Sequence, residues 1–585
     1  MNENNLSYYL KKSKQIQKIH SQYGKKIAIL GNFSLNGLKE VLEVLSYEKK
    51  LDIEIYDSPY AQFKQEIINQ NSEWHNFAPD LTFLILDFDA LIGDARFEYH
   101  SWNEERRKQL IDKTCNEFKD FLINAINSQN GKIVVSNFIF PTFSPFGIYD
   151  CKIKHTLRDF VNSLNEIIKK MAEEYSPLYC IELDSFFLKF GQKNVKDEKL
   201  KFLADIIVSP SHIPELVKIM MRYVKPLFGL TKKCLVLDLD NTLWGGILGE
   251  EGFDKISLDN KPPGNAFLEF QKVILQLYNR GIILAINSKN NASDVKEVFE
   301  KHPNMILKEN NFADTQINWK DKASNMIQIA KKLNIGTGSF VFWDDDPVNR
   351  ELIKSQCPEV TVVEVPKDPA LYANTLRELD EFNSYNITLE DSQKGKMYAE
   401  QNLRKKNEKK FSNLDEFLSS LEIEVIIKKA DKFTIPRISQ LTMKTNQFNL
   451  TTKRYSPEKI EEIINNSEYL IKTFSVQDKF GDNGLTGLYI INKEESKKWK
   501  IDTFLMSCRI MGRNIEKVMM VDLIDEAIKE KIESISGEYI FTKKNEVTKK
   551  FYQKLGFSKL DENQYELKEL KENIISVDNI KISKN

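Results

Sequence analysis

The sequence is poor in histidine and has no closely paired cysteines. All six histidines lie at or before His302, so the residues that follow cannot build a local Ser-His-Asp triad. No two cysteines have C-x-x-C spacing, which argues against both a disulfide framework and a zinc site. We therefore expect free thiols at Cys115, Cys151, Cys180, Cys234, Cys357 and Cys508.

The sequence also lacks an excess of charge and a long apolar run. It has 84 basic and 85 acidic side chains, which excludes a general attraction to nucleic acid or to an anionic membrane. Apolar stretches such as Leu81 to Leu86 are far shorter than the ~20 residues of a membrane span. The N-terminus has no apolar segment of the kind that follows a basic start in secretory signals. We predict a cytoplasmic protein that binds neither nucleic acid nor membrane.

A chain of 585 residues is long enough for several domains of about 100 to 200 residues. From Lys25, short apolar runs alternate with amphipathic segments, which indicates βαβ units and a parallel sheet. A second series of this kind begins at Cys234. The predicted fold class is α/β multidomain, with two parallel-sheet domains at 1–229 and 230–378, a charged linker at 379–411, a mixed α/β domain at 412–570 and a frayed tail at 571–585.

Four polar elements follow one another in the second domain, each placed after an apolar strand or at a helix start. Because ligands of open parallel sheets bind at the carboxyl ends of the strands, these elements are expected to meet there. They are Asp238-Leu-Asp240-Asn-Thr242, Asn287-Ser288-Lys289, the lysines Lys320 and Lys322, and Asp344-Asp345-Asp346.

The chemistry of this set is that of magnesium-dependent phosphoryl transfer. Asp238 can act as the nucleophile and as a metal ligand, because Mg²⁺ prefers hard oxygen atoms. Asp240 can act as general acid and base, with its backbone carbonyl facing the metal. Asp344 and Asp345 can complete the metal shell.

The remaining members of the set would bind the phosphoryl group. Thr242 would fix the turn, and Ser288 with Lys289 would contact phosphoryl oxygens. Lys322 would balance the developing charge, and we favour it over Lys320 because it opens a predicted helix.

An isolated D-x-D is more often a turn or a helix cap than a catalytic pair. The chain contains such a case at Asp87-Phe-Asp89, which follows a strand but lacks the threonine and the downstream partners. We predict a structural role for Asp87 and a catalytic role for the set that starts at Asp238.

The segment CLVLDLDNTLWGG resembles the first motif of the haloacid dehalogenase superfamily. Together with INSKN, INWKDKASN and FVFWDDDPVNRE it resembles the FkbH-like branch, subfamily IIIC. QLTMKTNQFNLTTKRYS and FLMSCRIMGR extend this resemblance to the C-terminal part. The chain departs from the family at Asn287, where cysteine is frequent, and at Asp346, where asparagine is frequent.

The first domain is similar to the SGNH-hydrolase-like region of long FkbH-like proteins. Such a hydrolase needs a G-D-S turn and a late D-x-x-H pair. The candidate segments here, Gly31 to Ser34 and Ser209 to His212, lack both aspartates. We predict a non-catalytic scaffold or docking surface without esterase activity.

The third domain resembles the acetyltransferase (GNAT) fold at two places, the segment from Arg509 through Gly512 and Arg513 to Asn514, and NEVTKKFYQKLGF. In the first, backbone N–H groups at a helix start could hold a pyrophosphate, or arginines could simply make surface ion pairs. Cys508, directly before it, is either an acyl relay or a small buried apolar residue.

The resemblance implies that the protein takes a glyceryl unit from 1,3-bisphosphoglycerate, removes phosphate and loads the acid on the phosphopantetheine thiol of an acyl carrier protein. The implied cofactors are Mg²⁺ and carrier-bound phosphopantetheine or acyl-CoA. The alternatives are a phosphatase of a small phosphorylated metabolite fused to an N-acyltransferase that uses acyl-CoA, and a scaffold with a vestigial phosphatase site.

Overall fold

The computed structural model describes residues 5–16, 24–387, 397, 411, 413–495, 497–571 and 580–584. Two compact units divide the chain, Met1–Phe228 and Gly229–Asn585. The segments 230–378 and 412–570, predicted as separate domains, both lie in the second unit. The predicted linker 379–411 lies mostly outside the described residues. No helix in the described part of the chain is both long and apolar enough to cross a bilayer.

The first unit contains a five-stranded parallel sheet in the order β2-β1-β3-β4-β5. All residues of β3 and β4 are buried, as expected for central strands of a parallel sheet that is covered on both faces. The strands are β1 Lys25–Gly31, β2 Ile53–Asp57, β3 Leu81–Ile85, β4 Lys132–Ser136 and β5 Leu178–Ile181.

The helices of the first unit connect these strands. The amphipathic α8 begins with a reciprocal capping box, in which the Thr156 and Asp159 side chains each accept from the other residue's backbone N–H. The helices are α1 Leu6–Ser13, α2 Leu38–Glu48, α3 Phe63–Ile68, α4 Glu73–Phe77, α5 Phe88–Ile92, α6 Ala95–Glu98, α7 Glu104–Ser128, α8 Leu157–Glu174, α9 Leu183–Phe190, α10 Gln192–Val195, α11 Glu198–Ala204 and α12 Ile213–Leu227.

The second unit begins with another five-stranded parallel sheet, in the order β10-β9-β6-β7-β8. The apolar β6 lies at its centre and is completely buried. The elements are β6 Cys234–Leu237, α13 Leu248–Glu251, α14 Gly264–Asn279, β7 Ile283–Ser288, α15 Ala292–Lys301, β8 Phe312–Ile317, α16 Lys322–Leu333, β9 Phe340–Trp343, α17 Pro347–Gln356, β10 Thr361–Val362 and α18 Tyr372–Glu378.

The rest of the second unit forms a mixed sheet in the order β16-β17-β15-β14-β13-β12-β11-β18. Most neighbours are antiparallel, whereas β14 pairs with β15, and β11 with β18, in parallel. The elements are α19 Leu414–Ser420, β11 Ile423–Lys429, α20 Ile435–Lys444, α21 Pro457–Asn465, β12 Tyr469–Asp478, β13 Gly481–Glu495, β14 Lys498–Met506, α22 Ile515–Lys529, β15 Ser534–Glu538, α23 Phe551–Lys554, β16 Ser558–Lys559, β17 Gln564–Lys568 and β18 Ile580–Lys584.

The predicted α/β multidomain fold class is confirmed, with two parallel sheets and one mixed sheet. The prediction of a frayed tail is wrong for Ile580–Lys584. This segment is a strand because β11 is otherwise an edge strand, whose free N–H and C=O groups it pairs. All six cysteines are free thiols, as predicted.

Gln271, on α14, is a fully buried polar anchor of the second unit. Its Nε2 donates to the Leu243 carbonyl (2.8 Å), and its Oε1 accepts from the backbone N–H groups of Ile306 and Leu307 (3.0 and 3.1 Å). The amide therefore ties the loop after β6 to the segment before β8.

We expect Gln271→Leu to lower the free energy of unfolding by about 3 kcal/mol or more, because three buried backbone groups lose their partner. Urea denaturation followed by tryptophan fluorescence measures this. The matched control is Gln276→Leu on the exposed side of the same helix, with an expected change within about 0.5 kcal/mol. Equal stability of the two variants would contradict the anchoring role.

Candidate active site

The carboxyl ends of three neighbouring strands deliver the predicted site residues to one edge of the sheet. Asp238 follows β6, Asp344 and Asp345 follow β9, and Ser288 ends β7. Since β6 pairs in parallel with both β7 and β9, these strand ends converge. The geometry brings together Asp238, Lys322, Asp344 and Asp345 from three of the four sequence elements.

Lys322 is the charged centre of this edge. Its Nζ lies 2.9 Å from Asp238 Oδ2 and 2.5 Å from Asp344 Oδ2, and its side chain is only 1% exposed. Burial lowers the pKa of Lys322, but the two carboxylates outweigh burial and leave the pKa raised. The ammonium therefore stays protonated. Lys320 is exposed and lies outside this cluster.

Asn287 holds Lys322 in place from the neighbouring strand. Its Nδ2 donates to the Lys322 backbone carbonyl (2.8 Å), and its Oδ1 accepts from Asn325 Nδ2 (3.2 Å). Asn287 is fully buried, so both bonds are shielded from water. The sequence pattern gave this residue no role; the available signal was its place directly before Ser288 at the end of β7, but the partner lies 35 residues away.

Asp238, Asp344 and Asp345 form a ligand set that suits a hard divalent cation. One carboxylate oxygen from each lies within 4.8 Å of the others. Asp238 Oδ1 is buried and has no hydrogen-bond partner among the described residues, which is the state expected of a ligand atom that awaits a cation or a phosphoryl group. The residues present therefore fit Mg²⁺.

The carboxylates of this set destabilise one another in the absence of a cation. Burial and the Asp238 charge raise the pKa of Asp344 to about 7 and the pKa of Asp345 to about 6. Arg350 fixes the loop by donating from Nη1 to the Asp344 and Asp345 carbonyls (2.9 and 2.7 Å). A divalent cation would relieve this repulsion and favour the ionised forms.

Asp240 does not belong to the set of three carboxylates that suits a divalent cation. Its Oδ1 accepts from Trp244 Nε1 (2.9 Å) and the Leu248 N–H (3.1 Å), and its Oδ2 accepts from Asn290 Nδ2 (2.9 Å). Burial raises the pKa of Asp240. The side chain is thus oriented and inclined to hold a proton, which suits an acid–base role. Trp244 and Asn290 were not predicted as site residues.

The other predicted phosphoryl-binding residues differ in their exposure. Thr242 is fully buried, and its Oγ1 lies 3.4 Å from Asp345 Oδ1. Ser288 is also buried, at the strand end beside Asn287. Lys289 is exposed. The structure therefore places Thr242 and Ser288 at the carboxylate cluster and leaves Lys289 at the surface.

Cys508 is not brought to this edge. It follows β14 of the mixed sheet, and its carbonyl accepts from Asn334 Nδ2 (3.0 Å), just after α16. It lines a cavity together with Lys233, which precedes β6 and lies at the amino end of that strand. At roughly 3.3 Å per residue, the opposite end of β6 is about 16 Å away.

The two arginines of the acetyltransferase-like turn are buried and have internal partners. Arg513 pairs with Asp478 (3.0 Å) and donates to the Arg509 carbonyl (2.9 Å). Arg509 Nε contacts Ser507 Oγ (3.3 Å). Gly512 has φ of +79° and leaves open space where a Cβ would stand. The geometry thus leaves the backbone at Gly512 open to a ligand.

Residues 448–450 pair with the C-terminal half of β14. Met506 N–H donates to the Phe448 carbonyl (2.9 Å), Leu450 N–H donates to the Phe504 carbonyl (3.2 Å), and Asn449 bridges Leu505. β15 pairs only with the first half of β14, from Lys498 to Ile501. An acyl-CoA arm could not use this strand edge without displacing residues 448–450.

The hydrolase-like residues of the first unit do not form a catalytic chain. Ser209 Oγ lies 2.9 Å from His212 Nδ1, but no hydrogen bond in the described residues joins Ser34 to His212. Asn32, at the position of the missing aspartate, makes two bonds to the Asp87 backbone. Asp87 accepts from the Ala90 N–H (2.9 Å) and caps α5, the structural role predicted for it.

A buried lysine among three aspartates at the carboxyl edge of a parallel sheet is a site of the haloacid dehalogenase phosphatase type. Residues 26–225 match the family described as FkbH, N-terminal domain. The N-terminal part of the protein BF1531 from Bacteroides fragilis, a crystal structure containing a phosphatase domain complexed with Mg, is 30% identical. That match has a TM-score of 0.59 and covers 65% of this chain and 99% of that chain. The chain therefore belongs to the FkbH-like family.

Shorter acetyltransferases overlap part of the chain. Ard1 from Thermoplasma volcanium is 15% identical, with 24% of this chain and 94% of that chain covered and a TM-score of 0.20. A putative acetyltransferase of the GNAT family from Desulfovibrio desulfuricans is 12% identical, with 25% and 98% covered and a TM-score of 0.20. None of the curated proteins is significantly similar in sequence to this chain.

We expect Mg²⁺ to bind this site and Asp345→Asn to weaken that binding at least tenfold, because the variant removes one of three anionic ligands. Isothermal titration with MgCl₂ measures the affinity, and the thermal midpoint should rise with Mg²⁺ in the wild type. Asp254→Asn, an exposed acid of the same unit, is the matched control. An unchanged Mg²⁺ affinity in Asp345→Asn would exclude this ligand set.

Proposed function

We propose that the protein is a magnesium-dependent phosphatase that acts on a small phosphorylated metabolite through a phospho-aspartate on Asp238. One observation carries this proposal. Lys322 holds Asp238 Oδ2, while Asp238 Oδ1 is buried close to Asp344 and Asp345 and has no hydrogen-bond partner in the described part of the chain. One oxygen is thus anchored and the other is free to attack phosphorus.

The first step transfers the phosphoryl group to the protein. Asp238 Oδ1 forms a bond to phosphorus, and the bond from phosphorus to the substrate oxygen breaks. Asp240 gives its proton to the departing oxygen, and its raised pKa favours the protonated form that this step needs. Mg²⁺, held by Asp238, Asp344 and Asp345, would supply positive charge next to the phosphoryl oxygens.

The second step regenerates the site. Asp240, now ionised, takes a proton from a water molecule that attacks phosphorus, and the bond to Asp238 breaks as inorganic phosphate forms. Lys322 remains charged throughout and limits the repulsion between Asp238 and the anionic phosphoryl group. Ser288, buried at the end of β7, would donate to a phosphoryl oxygen from that side.

We further propose 1,3-bisphosphoglycerate as the substrate and an acyl carrier protein as the acceptor of the glyceryl unit; membership in the FkbH-like family supports this. The carrier's phosphopantetheine thiolate would attack the acyl carbon and form a thioester, while the bond from that carbon to the phosphate oxygen breaks and inorganic phosphate leaves. The remaining phosphate ester is then a substrate for Asp238. We favour direct attack over a relay through Cys508, because Cys508 lies toward the amino end of β6.

An N-acyltransferase that uses acyl-CoA is the less favoured alternative. Residues 448–450 already occupy the strand edge of β14 with which the amides of a CoA arm could pair. Mass gain of a carrier protein, as opposed to acylation of a free amine, separates the two functions.

We expect Asp238→Asn to abolish phosphate release while the fold is retained, because the amide keeps the shape but removes the nucleophile and one metal ligand. A colorimetric phosphate assay with Mg²⁺ and an aryl phosphate measures release, and circular dichroism checks the fold. Asp87→Asn is the matched control, since Asp87 also follows a strand in a D-x-D but only caps a helix. Phosphate release at the wild-type rate in Asp238→Asn would rule out the mechanism.

We expect Cys508→Ala to load the carrier protein at the wild-type rate, because the carrier thiol attacks directly. Mass spectrometry of the carrier after incubation with 1,3-bisphosphoglycerate and Mg²⁺ measures loading, and Cys357→Ala is a matched cysteine control. Complete loss of loading in Cys508→Ala alone, together with a glyceryl adduct on wild-type Cys508, would establish the relay in place of direct attack.

A further inference from the structure

The second unit contains a cavity of about 450 Å³ at the opposite end of β6 from Asp238. Its floor includes Lys233 and Ile283, at the amino ends of β6 and β7. Its walls include Leu441 of α20, Cys508 after β14 and Val547 near the C-terminal part of the sheet. The cavity is thus built jointly by the parallel sheet and the mixed sheet, and it is separate from the phosphoryl-transfer site.

Positive charge dominates the described lining of this cavity. Five of its cationic residues form no salt bridge within the described residues: Lys233, Arg280, Arg509, Lys543 and Lys544. Glu546 is the single acidic residue among the described lining residues, and it is exposed and paired with none of them. Among the described residues, the lining of the cavity therefore carries a net positive charge that no salt bridge neutralises.

The hydrogen-bond partners of Lys233, Arg280 and Arg509 in the described residues are neutral. Lys233 Nζ donates to the Lys444 carbonyl (3.0 Å), and Arg280 Nη2 donates to the Phe382 carbonyl (3.0 Å). Burial lowers the pKa of Lys233, and Lys544 and Arg509 act in the same direction while Cys508 opposes them. Clustering cations in a partly buried space is costly unless an anion compensates them.

Part of the remaining wall is apolar, which suits an organic ligand better than a bare ion. Ile282, Ile335, Phe382, Ile387 and Leu441 line the space between the cations. A volume of 450 Å³ lies within the range of about 300 to 1,000 Å³ of small-molecule sites. The lining thus combines several cations with a short apolar surface.

We propose that this cavity binds an organic phosphate, with its phosphate at the lysine and arginine cluster and its carbon stem along the apolar wall. Arginine and lysine are the residues that bind phosphate most readily, and a phosphate ester carries both the charge and the apolar stem that the lining offers. The proposal does not depend on the phosphatase activity, since no residue of the Asp238 cluster lines the cavity.

Two sources could supply this chemistry, a free phosphorylated metabolite and the phosphopantetheine arm of a carrier protein. The rim favours neither, because the exposed Lys543 and Lys544 would attract either anion. The probes are therefore 3-phosphoglycerate for the first source and 4′-phosphopantetheine for the second. Titration with each probe in turn identifies which one the cavity prefers.

The test is isothermal titration of the full chain in EDTA, which removes divalent cations from the Asp238 site. We expect saturable binding of at least one probe and at least tenfold weaker binding in the double variant Lys543→Ala/Lys544→Ala. The matched control is Lys549→Ala/Lys550→Ala, which removes two exposed lysines of the same segment that do not line the cavity. The control should bind within about twofold of wild type.

Two further measurements locate the binding. Asp238→Asn should bind the probe as wild type does, whereas binding lost in Asp238→Asn would assign the ligand to the phosphoryl-transfer site. The bound probe should also slow alkylation of Cys508 by iodoacetamide, measured by peptide mass spectrometry, with the exposed Cys151 as the internal reference. Absence of binding by both probes, or equal loss in the two double variants, would overturn the proposal.

Discussion

The pair of salt bridges from Lys322 to Asp238 and Asp344 is the interaction on which the phosphoryl-transfer site depends. Two aspartates from neighbouring strands are forced together by the convergence of β6 and β9, and a third follows directly. Without a buried cation this arrangement would be strongly unfavourable. Lys322 compensates part of the charge, and α16, which begins at Lys322, carries the ammonium to the edge of the sheet.

Lys322 compensates only part of the negative charge of the three aspartates, and the remaining charge matters for the chemistry of the site. Lys322 contacts one oxygen each of Asp238 and Asp344. Asp238 Oδ1 has no hydrogen-bond partner within the described residues, and the pKa values of Asp344 and Asp345 remain raised by burial. One lysine thus preserves the fold of the site, and the residual negative charge defines the place for a divalent cation. Lys322 also distinguishes the two oxygens of the proposed nucleophile, since it anchors Oδ2 of Asp238 and leaves Oδ1 to react.

The sequence was sufficient to predict the parts of the site that follow from parallel-sheet geometry. Acids after apolar strands must meet at one edge, so Asp238, Asp344 and Asp345 could be grouped from their positions alone. The start of α8 also depends on local residues alone, because the Thr156 side chain caps the helix. Catalytic roles drawn from these groupings remain predictions.

The parts that could not be predicted depend on contacts between distant loops. Asp240 is held by Trp244 and Asn290, and the second of these lies 50 residues away. The strand Ile580–Lys584 looked like a frayed polar tail because the edge that it pairs, β11, lies more than 150 residues earlier. Neither spacing nor composition reports such pairings.

Asn287 shows how one departure from the family pattern changes the chemistry that is available. Its amide makes two buried hydrogen bonds, one as donor to the Lys322 carbonyl and one as acceptor from Asn325. A cysteine, with a weak S–H donor and a weak acceptor, could not replace both at full strength. In this chain the position therefore orients Lys322 and offers no thiol beside the phosphoryl site. Within the second unit, Cys508 lies with Lys233 toward the amino end of β6, so it does not supply the thiol that Asn287 lacks.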